Sequence, residues 1–130
     1  GELIAQYDIR AGEGPWMKAR NMSGGNQQKV IIAREIDLSP AVLVVAQPTR
    51  GLDVGAIEYI RKRIVSERDK GRAVLLVSFE LDEIMNLCDR IAIISKGEVA
   101  GIFNEGEADE RTIGFMMAGS RAAGDKGAAR

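Results

Sequence analysis

Few residues in this chain can do chemistry. Its 130 residues include no histidine and a single cysteine, Cys88. Without imidazole there is no ordinary base near neutral pH, and one thiol supports neither an internal disulfide nor a zinc centre. Acid–base work would rest on carboxylates. The spacing of Cys88 to Leu87 and Ile84 reads as small core filler. The strongest local feature is Ser23-Gly24-Gly25 ahead of a helix-compatible stretch. A helix start leaves several N–H groups unpaired and carries positive dipole, and glycines let backbone approach a phosphate with no Cβ in the way. Such a turn can bind an anion. By itself, a serine before two glycines is also a common helix cap.

The elements that would position this turn follow from periodicity. Val30, Ile31, Ala33, Arg34 and Ile36 at mixed three- and four-residue spacing predict a helix that ends near Leu38-Ser39-Pro40. The run AVLVVA at 41–46, bounded by Pro40 and by Gln47-Pro48, predicts a strand buried on both faces. Asp53 is placed to cap a helix whose stripe is Val54, Ile57, Ile60, Ile64 and Val65, closing at Lys70-Gly71. A second buried run follows at 73–77. Residues 80–87 read as a short helix with Leu81, Ile84 and Met85 inward, and 90–94 as a third strand that turns at Lys96-Gly97 into 99–102 as a hairpin. A helix at 2–7, broken by Gly and Pro at 11–15, opens the chain, and another is expected over 108–117. Residues 119–130 are too rich in Gly, Ala and charge to bury anything and are expected to be a disordered tail. The order strand, helix, strand, helix, strand predicts an α/β fold: a parallel sheet with crossover helices plus a C-terminal β-hairpin.

Composition excludes several classes. With 45% hydrophobic and 28% charged residues the chain reads as globular, and its length suits one domain with a real core. Eighteen basic residues against 19 acidic ones leave a net charge of -1, so no global field draws it to nucleic acid or an anionic membrane. The longest apolar run, 41–46, is far below the roughly 18 residues of a membrane span, and the start has no basic-then-apolar signal pattern. The expectation is a soluble chain that can still serve a membrane partner.

The longer string Met22-Ser-Gly-Gly-Asn-Gln-Gln-Lys-Val30 resembles the signature motif of ATP-binding cassette (ABC) ATPases. An apolar strand comes a helix-length later, and then Pro48-Thr49-Arg50-Gly51-Leu52-Asp53, which looks like that family's passage from the Walker B strand to the D-loop. A further strand at 74–78 stands where the family carries its switch residue. The match runs from about Asn21 to Ile102, in family order. The wording Asn26-Gln-Gln-Lys, with Gln47-Pro-Thr-Arg-Gly-Leu-Asp-Val-Gly-Ala56, is similar to the tandem ATPase subunits of bacterial simple-sugar and nucleoside importers, their second cassette in particular, and the nucleoside branch is favoured. No G-x-x-x-x-G-K-S/T loop occurs, and the glutamine-containing loop upstream of the signature is not identifiable. The resemblance therefore implies an incomplete P-loop NTPase fold lacking the Walker A strand and loop. Residues 1–118 would be the C-terminal part of a cassette, with 1–39 the helical and signature region and 40–118 a partial RecA-like core.

For the site, the resemblance implies two opposite things. Where the family ends its Walker B strand in aspartate and glutamate, this chain has Ala46 and Gln47, and the switch histidine is Phe79. Ala46 offers no oxygen to Mg²⁺, Gln47 no base to water and Phe79 no donor to a phosphoryl group, so the chain's own site is expected to be degenerate. The signature is nearly whole: Ser23, Gly24, Gly25 and Asn26 would bind ATP held by a partner cassette, with Met22 replacing leucine and Asn26 replacing glutamine. The D-loop residues Gly51, Leu52 and Asp53 would help align that site, although Asp53 also reads as a plain helix cap. ATP and Mg²⁺ are implied for the intact protein, with none bound to this chain alone, which is expected to be inactive. Implied partners are a second nucleotide-binding domain, permease subunits and, indirectly, a solute-binding lipoprotein; nucleic acid is not among them. The implied location is cytoplasmic, on the inner face of the cell membrane, and an exposed apolar edge would favour self-association. Two other readings stay open: a non-transport ABC ATPase, against which stands the absence of heptads or a basic run, and a non-catalytic dimerisation or regulatory domain. The transported solute is not legible.

Overall fold

A computed structural model describes residues 1–119. Its elements are α1 (Glu2–Gln6), α2 (Gly24–Asp37), β1 (Val42–Ala46), α3 (Val54–Asp69), β2 (Ala73–Val77), α4 (Leu81–Leu87), β3 (Arg90–Ser95), β4 (Glu98–Asn104) and α5 (Glu110–Met117), with short 3₁₀ turns at Gly14–Trp16 and Ala19–Asn21. They fall into two compact units, Gly1–Val77 and a second that begins at Ser78.

In the first unit, β1 and β2 pair in parallel, Val42 beside Ala73 through to Ala46 beside Val77, with α3 as the crossover. Each boundary has a local cause. Ser39 at φ 50 and Pro40 stop α2, and Gly71 at φ 86 takes the left-handed position that closes α3. The core joins Ile32, Ala33 and Ile36 of α2, Leu43 of β1 and Ile60 and Ile64 of α3 to Tyr7 and Ile9 from the segment after α1.

Two expectations need correction here. The strands are covered on one face only: Leu43 is buried, while Val44 is 64% and Val77 47% exposed, with Val42 and Leu75 between them. Alternate residues of a strand point to opposite faces, and the register sets Val42 beside Ala73, Val44 beside Leu75 and Ala46 beside Val77 on the open one. No element of this unit covers it. On α2 the inward residues are Ile32, Ala33 and Ile36, and Ile31 faces out; on α3 they are Ala56, Ile60 and Ile64, and Val54, at the first position of the helix, is exposed.

One buried group was not anticipated. Glu67 of α3 is fully buried and ion-paired with Arg72 and with Lys70, the latter at 2.7 Å. Arg72 also donates to the Ile36 carbonyl at 3.5 Å, so the pair joins the ends of α2 and α3.

In the second unit β3 and β4 form an antiparallel hairpin, with an irregularity between Ile93 and Ile94. Lys96 at φ 53 and Gly97 at φ 82 make the turn, a pair of positive values that suits a tight hairpin. Ile91, Ile93, Ile113 and Met116 are its core, with Leu81, Ile84, Met85 and Cys88 packed against them as expected. A Cβ at Gly101 would lie 2.7 Å from Met116 Cε, so glycine lets α5 seat on the hairpin. Among the described residues the third predicted strand does not extend the parallel pair: β3 pairs with β4, which the two-residue turn brings into register beside it, and each sheet has two strands. Gly119 at φ 87 closes α5, and the rest of the predicted tail lies outside the described residues. Among the described residues no helix is long and apolar enough to cross a membrane.

Candidate functional site

The turn that opens α2 is built around Ser23. Its backbone is extended (φ -61, ψ 156) and its side chain is exposed. Ser23 Oγ accepts from the Asn26 backbone N–H at 3.4 Å and from Asn26 Nδ2 at 2.9 Å. A hydroxyl has two acceptor sites and one proton to give, so with both acceptors occupied the O–H is what Ser23 has left to offer. The amides of Gly24 and Gly25, in the first turn, have no intrahelical acceptor. Asn26 itself is engaged within the chain, since its Oδ1 accepts from the Arg10 N–H at 2.9 Å. Gln27 Nε2 donates to the Met22 carbonyl at 2.9 Å and braces the same turn.

The two glycines differ. A Cβ on Gly25 would lie 3.1 Å from Ala56 Cβ and 3.6 Å from Asp53 Oδ2, tight enough that the close approach of α3 accounts for glycine there. A Cβ on Gly24 would meet only Leu52 Cδ2 at 3.7 Å, an ordinary contact. Among the described residues nothing requires Gly24 to lack a side chain.

These contacts bring the predicted signature and D-loop together. Gly51 at φ 72 makes the turn, Leu52 N–H donates to the Thr49 carbonyl at 3.2 Å, and Asp53 Oδ1 accepts from the Ala56 N–H at 3.0 Å. Asp53 thus does cap α3.

The positions read as degenerate lie at the end of β1 and after β2. Ala46 is exposed and paired with Val77. Gln47 takes φ 49, a left-handed conformation uncommon outside glycine; its N–H donates to the Val77 carbonyl at 2.8 Å, and its buried Nε2 has no acceptor. Phe79, 72% exposed, belongs to the second unit. Ala46 and Gln47 bring no carboxylate, and Ala46 no side-chain oxygen at all, to a Mg²⁺ that demands near-octahedral oxygen ligands. Among the described residues no three His, Cys, Asp or Glu side chains converge on a metal-sized space. A cavity of about 100 Å³ beside β1 is lined mainly by Ile31, Ile32, Ile36, Leu43 and Val44, apolar and well below the roughly 300 Å³ where ligand pockets begin.

Sequence reasoning missed Arg10, Gln27 and Ala56. Asn26 did carry a signal: it stands three residues after Ser23, the spacing at which a side chain reaches back to an N-cap. Arg10 and Ala56 carried none, because their part depends on tertiary approach.

No family model matches the chain. It is 56% identical over 118 residues to the nucleoside import ATP-binding protein NupA of Lactococcus lactis subsp. cremoris and, equally, to the guanosine import ATP-binding protein NupO of Bacillus subtilis. Each alignment covers 91% of this chain and 23% of the relative. The ribose import ATP-binding protein RbsA of Bacillus licheniformis is 42% identical over 119 residues, covering 92% of this chain and 24% of its own. The chain thus spans about a quarter of the length of these relatives. Among solved structures, a dimeric ATP-binding cassette in a post-hydrolysis state with ADP and Pi superposes with a TM-score of 0.69 at 26% identity, over 79% of this chain and 44% of that one. A nucleotide-free cassette from an ABC transporter does so at 0.70 and 23% identity, over 82% and 41%, a likeness of fold alone. The α/β architecture is accordingly a partial cassette fold. Over about nine-tenths of its length, at 42–56% identity, the chain matches a part of the ABC ATP-binding subunits of the sugar and nucleoside import type.

Proposed function

We propose that this chain, within a longer ATP-binding subunit, presents Ser23, Gly24 and Gly25 to the terminal phosphate of ATP held by a partner cassette. Closure of the two cassettes then drives a permease for nucleosides or simple sugars at the inner face of the cell membrane, fed by a solute-binding lipoprotein. The names of the relatives at 56% identity favour nucleosides. The observation that carries the reading is Gly24: its open Cβ position has no reason among the described residues, which suits a ligand approaching from outside. The fit to a phosphate is good, since Ser23 keeps a proton to donate and the Gly24 and Gly25 amides have no acceptor within the helix.

The same reading makes the chain's own site a poor hydrolase, because Ala46, Gln47 and Phe79 supply neither base nor charge. ATP and Mg²⁺ then belong to the partner's site in the intact protein. Residues 1–118 form the cassette portion, with signature and core regions meeting near residue 39. Single-site turnover in the full-length protein with its partner tests both halves of the proposal. Ser23→Ala and Gly24→Ala are each expected to lower hydrolysis at the partner's site by roughly tenfold or more. Unchanged hydrolysis would refute the contribution in trans. Hydrolysis at the unmodified own site matching the partner's rate would refute the degeneracy, and Ala46→Asp with Gln47→Glu and Phe79→His is the complementary gain-of-function trial.

A further inference from the structure

We infer that Asn26 is a positioning residue, whose carboxamide holds the Ser23 hydroxyl as an outward donor through a relay that begins at the Arg10 backbone. This deepens the proposed function and rests on it. The relay is fixed by what each atom can do. A backbone N–H only donates, so the Asn26 atom 2.9 Å from the Arg10 nitrogen must be its oxygen. The nitrogen Nδ2 therefore faces Ser23 Oγ, at 2.9 Å, and must donate to it. This contact is shorter than the 3.4 Å cap bond from the Asn26 backbone, so the side chain is the closer partner. With both contacts accepted at Oγ, the Ser23 proton is left to point away from its own helix. Were the carboxamide reversed, Ser23 would donate its proton to the Asn26 oxygen, and the Arg10 N–H would face another donor.

Arg10 is a firm starting point. Ile9 beside it is buried in the core and its N–H donates to the Ile4 carbonyl at 2.9 Å. Lys29, one turn along α2 from Asn26, holds the Asp8 carbonyl at 2.9 Å and its carboxylate at 3.1 Å. The segment before the signature is thus tied to α2 at both residues that flank Ile9. An asparagine spans this gap with one rigid amide, acceptor on one side and donor on the other.

The experiment uses the full-length protein with its partner cassette and Asn26→Asp, which keeps an oxygen for Arg10 but replaces the donor facing Ser23 with an acceptor. Affinity of the partner's site for a nonhydrolysable ATP analogue is expected to fall about tenfold, with ADP affinity little changed because ADP lacks the terminal phosphate. In a Ser23→Ala background the same substitution should add less than about twofold, since it acts through that hydroxyl. Amide hydrogen exchange at Arg10 should stay slow in Asn26→Asp and quicken in Asn26→Ala. An equal loss of analogue affinity with and without the Ser23 hydroxyl would show a plain charge effect and overturn the inference, as would unchanged affinity in Asn26→Asp. Should Ser23→Ala alone leave analogue binding intact, it is the reading in trans that fails, a result distinct from additivity.

Discussion

Gly24 and Gly25 are neighbours with different reasons to be glycine, and the difference can be measured. Gly25→Ala forces Ala56 to give way from 3.1 Å, so equilibrium denaturation should show a loss of about 1–3 kcal/mol. Gly24→Ala has room and replaces the residue most costly to order, so stability should hold or rise by roughly 0.5 kcal/mol even as partner-site hydrolysis falls. Cys88 offers a second test. Burial pushes its thiol up from the ordinary value, with Asp89 and Glu83 adding to the shift. The fold therefore favours the neutral form, a contribution present below the unfolded thiol's pKa and lost as pH rises through the raised one. Alkylation should be slower than for a free cysteine at mildly alkaline pH, and denaturant should abolish the difference. Cys88 was legible as core filler because its neighbours Ile84 and Leu87 lie one helical turn or less away. The link from Asn26 to Arg10 was not legible, because the residues are 16 apart and meet only once Ile9 is packed.

At the scale of elements, caps were easier to read than faces. Ser23 and Asp53, both read as caps, each accept from the amide three residues on, so their role is contained in a few residues of sequence. Asp53→Ala should cost about 1 kcal/mol in denaturation experiments, and the start of α3 should fray. Asp109 caps α5, which therefore begins at Glu110, two residues inside the predicted 108–117. Hydrogen bonds from Thr112 hold the Asp109 carboxyl below its ordinary value. A lowered folded-state pKa gives a contribution present above the unfolded value and lost as pH falls through the lowered one. The protection factor of the Thr112 amide, taken against its intrinsic rate at each pH, should therefore fall on acidification and stay level in Asp109→Asn. The face of α2 was harder: residues 30–33 are four apolar side chains in a row, which leaves two helical phases open, and only packing against α3 selects Ile32 over Ile31. The same ambiguity affects β1, where a continuous apolar run looks alike whether one face or both are covered.

Across the whole molecule, the strands and their nearest pairings were legible, and the reach of the parallel sheet was not. Apolar runs located all four described strands, the crossover α3 implied the parallel pair and the Lys96-Gly97 turn implied the hairpin, but periodicity carries no information on whether β3 joins β1 and β2, and among the described residues it does not. The charge cluster at Glu67 was also invisible, since Arg72 and Lys70 lie beyond the end of α3 and reach back to a side chain that only the fold buries. Arg72→Met leaves that carboxylate with Lys70 alone; a loss of about 3 kcal/mol is expected, larger than for an exposed pair such as Lys62 with Glu58. The open face of the parallel pair has a further consequence. Val42, Val44, Leu75 and Val77 form a greasy strip wet by solvent, the kind of surface that hydrophobic dyes and chaperones seek out. Made in a cell by themselves, these residues would be triaged by quality control however well each helix was capped.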